Sequence, residues 1–243
     1  MSKIIHHHLR TIDSTIVFAK EFVKGFDSSN IILITADEQT AGRGRLKSQW
    51  TSPPFVNIYA TFCHGFDPER YDCGNLAQVM GVSVSRLLND LHIDACMKWP
   101  NDILVNGKKI AGIICELKML EGNLWVFNSV GVNVNMSADD LRMLPKAATS
   151  MSVELNKEQN VSVIIKKLCA YYEEDLKGFL KEGYAYISED LQRLTHAVCG
   201  NKISFRDSQE VHEGVFLGID DRGSLKMQVK DEIIVFHSGS IEF

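Results

Sequence analysis

Long apolar runs are missing from this 243-residue chain. A membrane-spanning helix needs about 18 or more apolar residues in a row, and a secretory leader needs a stretch of about 7–15; neither is found. Paired cysteines are missing too. The six are Cys63, Cys73, Cys96, Cys115, Cys169 and Cys199, and no two stand close enough for a CxxC pair. That excludes the usual zinc and dithiol spacings. Nor is there an excess of positive charge: 26 Lys+Arg face 31 Asp+Glu, for a formal net charge of -5. A general nucleic-acid or anionic-membrane binder is disfavoured, although one basic loop can still hold an anion. Internal repeats and low-complexity linkers are also absent.

What remains is an ordinary globular composition, 45% hydrophobic and 23% charged. The length suits one large domain, or one with a small satellite, and gives ample material for a core. Most cysteines sit among apolar neighbours, as in Ile114-Cys115 and Leu168-Cys169-Ala170, which suits reduced, buried thiols and a cytoplasmic protein. His6-His7-His8 reads as a polar strand end or a tag remnant rather than a metal site.

Ser14 and Thr15 can cap a helix carrying Val17, Phe18, Phe22 and Val23, with Gly25 as its stop. Residues 30–35 and 56–62 read as strands, joined by a polar loop that holds glycine and proline. Leu76, Met80, Val84, Leu87, Leu88 and Leu91 mark one face of a long helix. Ile103-Leu104-Val105, Asn106-Gly107 and residues 108–116 form a hairpin, since Asn-Gly supplies the positive φ angles of a type I′ turn. Another strand covers 125–134, and helices follow near 161–179 and 184–195. From about residue 198 the texture changes to short strands and tight turns. The expectation is an α+β architecture: a mixed β-sheet domain with flanking helices over 1–197, then a small β-barrel over 198–243. So small a unit buries too little alone and should dock on the larger one.

Three segments carry chemistry. In Gln39-Thr40-Ala41-Gly42-Arg43-Gly44-Arg45, two glycines let successive N–H groups converge, and two arginines add forked donors for carboxylate or phosphate. Trp50 can wall an organic ligand beside it. In Lys98-Trp99-Pro100-Asn101-Asp102, Asn101 or Asp102 can orient a magnesium ion or bond a ligand, while Lys109 and Gly112 lie on the returning strand. A cross-strand Lys–Asp ion pair is the plainer alternative. Gly131-Val132-Asn133-Val134-Asn135 ends a strand with two amides, which also suit a turn.

Together with Asp13-Ser14-Thr15, Ser52-Pro53, Asn57, Glu116 and Ala148-Thr149-Ser150-Met151, these segments resemble the biotin–protein ligase family in order and spacing, over nearly the whole chain. The resemblance implies a class II synthetase-like catalytic domain followed by an SH3-like barrel. It also implies an ATP-dependent ligase that makes biotinyl-5′-AMP and passes biotin to a lysine of a biotin carboxyl carrier protein. On that resemblance Ser14, Thr15, Gln39, Gly42, Arg43, Arg45, Trp50, Lys109 and Gly112 are expected at biotin. Arg43, Arg45, Asn101 and Asn133 are expected at ATP, and Asp102 at Mg2+ or the incoming lysine; Lys109, Arg45 and Asp102 form the catalytic set. A homodimer is implied as well, with no nucleic-acid or membrane partner.

The pattern departs from the family at Ile16, Lys47, Ser48, Phe55 and Ser129, where Asn, Gly, Arg, Gly and Gly are usual. About ten residues precede Ile12-Asp13-Ser14-Thr15, which leads to the expectation of a ligase without the DNA-binding domain some relatives carry. A lipoate or octanoate ligase of the same superfamily is the neighbouring alternative, although no Arg-Arg-x-Ser-Gly-Gly-Gly segment is present. A non-catalytic biotin- or adenylate-binding protein is the alternative from another class.

Overall fold

Strands rich in β-branched residues assemble into a seven-stranded sheet of β1 (Ile4–Ile12), β2 (Ile31–Gln39), β3 (Ile58–Phe66), β4 (Ala95–Lys98), β5 (Asp102–Val105), β6 (Lys108–Leu120) and β7 (Asn123–Val132). The structure is a computed structural model that describes residues 3–45, 48–197 and 199–242. Strand order is β1-β2-β3-β7-β6-β5-β4. β1 runs parallel to β2 and every other pair is antiparallel, so the sheet is mixed as expected. The hairpin turn places Asn106 at φ 50° and Gly107 at φ 74°, as a type I′ turn requires.

The histidines fall within β1, a whole edge strand that sequence reading gave only as a polar strand end. Thr35 lies opposite His8, and its buried hydroxyl is shared by His6 Nε2 at 2.7 Å and His8 Nδ1 at 2.9 Å. The helices are α1 (Thr15–Phe22), α2 (Leu76–Asp90), α3 (Ala138–Arg142), α4 (Met151–Leu155), α5 (Val161–Glu182) and α6 (Ala185–Leu194).

Because side chains alternate across a strand, the two sheet faces carry different partners. Leu33, Ile58, Ala60, Phe62, Ile113, Val126 and Val130 face the large core built with α2, α5 and α6. Ile32, Ile34, Cys63 and Phe127 face a smaller cluster with Ile16 and Ala19 of the short helix α1. α1 covers only part of that second face; the site lies beyond its N-terminus.

The C-terminal strands β8 (Lys202–Arg206), β9 (Val211–Ile219), β10 (Leu225–Val229), β11 (Glu232–Phe236) and β12 (Ser240–Glu242) form a separate antiparallel sheet in the order β11-β10-β9-β8-β12. Sequence reading missed β12, whose three residues pair with β8 alone. No pairing joins β11 to β12 among the described residues, so the small β-barrel expected from the sequence is seen here as a five-stranded antiparallel sheet. It is docked as expected. Trp99 Nε1 and Gln78 Nε2 donate to the Gly223 carbonyl at 3.0 and 2.8 Å, the Trp99 and Phe205 rings lie 5.8 Å apart, and one apolar core runs through both units. No helix among the described residues is long and apolar enough to cross a membrane.

Candidate functional site

Register puts Lys98, Asp102, Gly112, Gly131 and Tyr59 side by side across five strands. The two glycines make a flat floor, and Trp50 lies on it. A Cβ at Gly131 would stand 2.5 Å from Trp50 Cε2; one at Gly112 would stand 2.9 Å from Lys109 Nζ and 3.0 Å from Trp50 Cζ3. A side chain at Gly131 would collide with the indole, and one at Gly112 would press on the end of Lys109 and the indole edge. Lys109 Nζ sits 5.2 Å from the Trp50 ring centre and 2.6 Å from Asp102 Oδ1. The cross-strand ion pair weighed in the sequence is thus formed, and both of its residues line the cavity.

The Gly-Arg-Gly-Arg loop folds over this floor. Trp50 N–H donates to the Gly42 carbonyl at 2.9 Å and Gly44 N–H to the Ser48 carbonyl at 2.7 Å. A Cβ at Gly42 would meet the Trp50 carbonyl at 2.4 Å, which explains the glycine. Arg45 Nη1 donates to Asn101 Oδ1 at 2.9 Å and to the Gly239 carbonyl at 3.2 Å, so one guanidinium ties the loop to the β4–β5 turn and to the C-terminal sheet. Burial pulls its pKa down, with Asp102 opposing. Burial likewise lowers the Lys98 ammonium; Asp102 opposes, while Lys146 and Lys109 push it further down.

A polar wall closes the other side. Gln39 Oε1 accepts from the Thr15 N–H at 2.9 Å and the Thr15 hydroxyl at 3.1 Å, and Gln39 Nε2 donates to Ser52 Oγ at 2.9 Å. The cavity between wall, floor and loop measures about 310 Å3 and includes Ser14, Thr15, Gln39, Arg43, Arg45, Trp50, Asn101, Asp102, Lys109 and Gly112. All ten were expected from the sequence. Gly42 lines a second opening of about 640 Å3, with Arg43, Arg45 and Glu116. Asn133 lies elsewhere: it is buried, and its Nδ2 donates to the Thr149 carbonyl at 3.0 Å, bracing the segment that pairs with Lys109.

Sequence reading missed Tyr59, Lys146, Arg206, Ser240 and Glu242, which also line the cavity. Three of these belong to the C-terminal sheet, and no local motif could reveal them because docking alone brings them in. Arg43, Arg45, Lys109, Lys146 and Arg206 give the lining five cations against the carboxylates of Asp102 and Glu242. In an acidic chain, that concentration marks a receptor for an anionic ligand. Trp50 Nε1 is buried there with no hydrogen-bond partner among the described residues, an unspent donor inside the pocket.

The model of the biotin/lipoate A/B protein ligase family matches residues 9–135, more than half of the chain. The chain belongs to that family. A second model, the biotin protein ligase C-terminal domain, matches residues 198–243. A bifunctional ligase/repressor BirA of Bacillus spizizenii is 30% identical over 213 residues, 86% of this chain and 65% of its own length. The chain therefore spans just under two thirds of that relative. A biotin–[acetyl-CoA-carboxylase] ligase of Paracoccus denitrificans is 30% identical over 234 residues, 89% of this chain and 91% of that one. Among solved structures, a biotin protein ligase from Aquifex aeolicus in complex with biotin and ATP superposes with a TM-score of 0.80 at 25% identity, covering 100% of this chain and 98% of that one.

Within the family frame the departures find physical explanations, apart from Lys47, which lies outside the described residues. Ile16 is 1% exposed and packs in the α1 cluster. Ser48 donates its hydroxyl to the Arg45 carbonyl at 2.7 Å, closing the loop where an arginine is usual. Phe55 holds φ 65°, the left-handed region that suits the glycine usual at that position. Its N–H bonds the Asp37 carbonyl at 3.0 Å, fixing the turn. Ser129 lines the cavity.

Proposed function

We propose that the chain activates biotin with MgATP and transfers it to a lysine of a biotin carboxyl carrier protein. The observation that carries the reading is the Lys109–Asp102 pair beside Trp50 on the Gly112–Gly131 floor, in a pocket with five cations. In the first step a biotin carboxylate oxygen attacks the α-phosphorus of ATP, forming the mixed anhydride and expelling pyrophosphate. In the second, the carrier lysine's neutral amine attacks the biotinyl carbonyl; AMP leaves, and the amine's proton passes to solvent. Both nucleophiles belong to substrates, so the protein's work is positioning and charge stabilisation.

Lys109 is assigned to bridge biotin's carboxylate and the α-phosphate, its ammonium offsetting charge that grows on the phosphoryl oxygens. Arg43 and Arg45 hold the loop over both substrates. Ser14, Thr15, Gln39 and Gly112 receive the ring end of biotin, and Trp50 and Gly42 shape the wall and loop around it. Asn101 positions Arg45 toward the nucleotide, and Asn133 supports the nucleotide-side segment through Thr149. No cluster of three or more metal-ligating side chains occurs among the described residues. Asp102 is the carboxylate at the floor, and with Oδ1 paired to Lys109 it would offer at most one ligand to a magnesium ion carried in mainly on ATP's own phosphates.

The same reading divides the chain into a catalytic unit over 1–197 and a C-terminal unit over 198–243. It places the protein in the cytoplasm, for which the six free cysteines speak. A homodimer through the outer edges of the large sheet completes the proposal.

Purified protein given biotin, MgATP and a carrier domain should release pyrophosphate and label the carrier lysine. Silence with an active carrier and folded protein would refute the ligase reading, and labelling with lipoate or octanoate in place of biotin would move the chain to the neighbouring branch.

A further inference from the structure

On β7 the side chains that face the pocket are those of residues 129 and 131, because the strand alternates and Val130 points into the core. At 131 nothing larger than hydrogen fits against Trp50. At 129 there is room, and the chain places a hydroxyl there. Register sets Ser129 between Thr61 of β3 and Ile114 of β6, one row along from the glycine floor.

Hydrogen-bond accounting shows how that hydroxyl differs from its neighbours. The Thr15 proton is given to Gln39 Oε1, which also accepts the Thr15 N–H, and Gln39 Nε2 is given to Ser52. The single proton of the fully buried Thr61 faces Thr15 Oγ1 at 2.9 Å and Ser129 Oγ at 3.1 Å. The chain of polar groups Ser52–Gln39–Thr15–Thr61 is therefore internally committed. Ser129 ends it, and its own proton faces the Ala60 carbonyl at 3.3 Å, a long and weak bond. Apart from Ser14, whose hydroxyl makes no capping bond to α1, it is the hydroxyl in this wall whose donor is most cheaply redirected into the cavity.

We propose that Ser129 is a binding residue for the ring end of the small substrate, donating its hydroxyl to the ureido carbonyl oxygen. This rests on the biotin reading of the same pocket and adds to it a contact made by a side chain where the family pattern has glycine. A carbonyl beside the Thr15–Gln39 wall meets groups already spent on one another, and Ser129 supplies the donor without breaking them. The Thr61 proton then relaxes fully toward Thr15.

The test is calorimetric titration of the full chain and of Ser129→Ala and Ser129→Gly with biotin and with desthiobiotin, which keeps the ureido ring and lacks the sulfur ring. Loss of one such hydrogen bond should raise both dissociation constants about three- to tenfold, with the melting temperature of unliganded Ser129→Ala within about 4 °C of the wild type. Constants within about twofold of the wild type in both variants would overturn the assignment. A loss confined to biotin would also overturn it, by placing the hydroxyl at the sulfur ring. If the unmodified chain binds neither ligand, the biotin reading itself fails and the role of Ser129 falls with it.

Discussion

Replacing Gly131 by alanine tests the floor on which the site depends. The new methyl carbon would lie 2.5 Å from Trp50 Cε2, 2.6 Å from Nε1 and 2.8 Å from Cζ2. Carbon atoms in favourable contact stand about 3.5–4.0 Å apart, so the indole must retreat by about 1 Å or the strand must bend. The strand is poorly placed to bend: Gly131 is paired with Tyr59 on one side and Gly112 on the other. The indole must give. In moving it loses its seat against Gly112 and its position under Lys109, now 5.2 Å away, a cation–π contact worth about 0.5–2 kcal/mol.

Overpacking of this kind costs about 1–3 kcal/mol. Urea unfolding of Gly131→Ala should show a loss in that range, and biotin affinity should fall more than tenfold because Trp50 and Lys109 are displaced together. The decisive comparison is a double-mutant cycle with Trp50→Ala. With the indole gone the methyl meets open space, so Gly131→Ala should then cost under about 0.5 kcal/mol, giving a coupling of at least about 0.5 kcal/mol between the two sites. Additive effects of the two substitutions on stability would refute the claim that the indole rests on Gly131.

Lys109→Ala should cut biotin-dependent pyrophosphate release by about 100- to 1000-fold, as loss of a group that stabilises transition-state charge does, while the urea midpoint stays near the wild-type value; pyrophosphate release at the wild-type rate would contradict its assigned role. His64 offers a pH test of the core: its ring is fully buried, 3.1 Å from the Tyr172 hydroxyl, and burial pulls its pKa down to about 3 from 6.5. A lowered histidine pKa means that the unfolded chain takes up the proton first, so stability falls as pH drops below about 6.5, by roughly 2 kcal/mol at pH 5. His64→Gln should flatten that part of the curve, and parallel pH profiles for the two proteins would show that His64 is not the group responsible.

Sequence patterns revealed most of what depends on local periodicity and little of what depends on docking. The helices α2 and α5 were legible because leucine, isoleucine and tyrosine recur at helical spacing, and the β5–β6 hairpin because Asn106-Gly107 admits little else. β1 was obscured by three consecutive histidines, whose hydrogen-bonding partner, Thr35, comes from the neighbouring strand. β12 was too short for any alternation to emerge. In the site, ten expected residues converge on one cavity because they sit on turns and strand ends with their own local signals. Arg206, Ser240 and Glu242 carry no such signal: each is an ordinary residue of a small sheet until that sheet packs on Trp99.

That dependence gives the small C-terminal sheet a role beyond filling surface. Arg45 spends one donor nitrogen on Asn101 and on the Gly239 carbonyl, so the loop that covers the cavity is held partly by a residue nearly two hundred positions away. Lys146 reaches the same cavity from the segment whose Ala147 carbonyl accepts the Lys109 N–H at 3.0 Å, which couples its placement to that of the central lysine. Glu242, bonded to Arg206 Nε at 2.5 Å, keeps part of the added positive charge neutral until a stronger anion competes for the guanidinium. The pocket is thus completed by tertiary docking rather than by any one segment. An anion that reaches Arg45, Lys146 and Arg206 together binds the loop, the central sheet and the C-terminal sheet at once, and so draws its affinity from the docked arrangement of the two units.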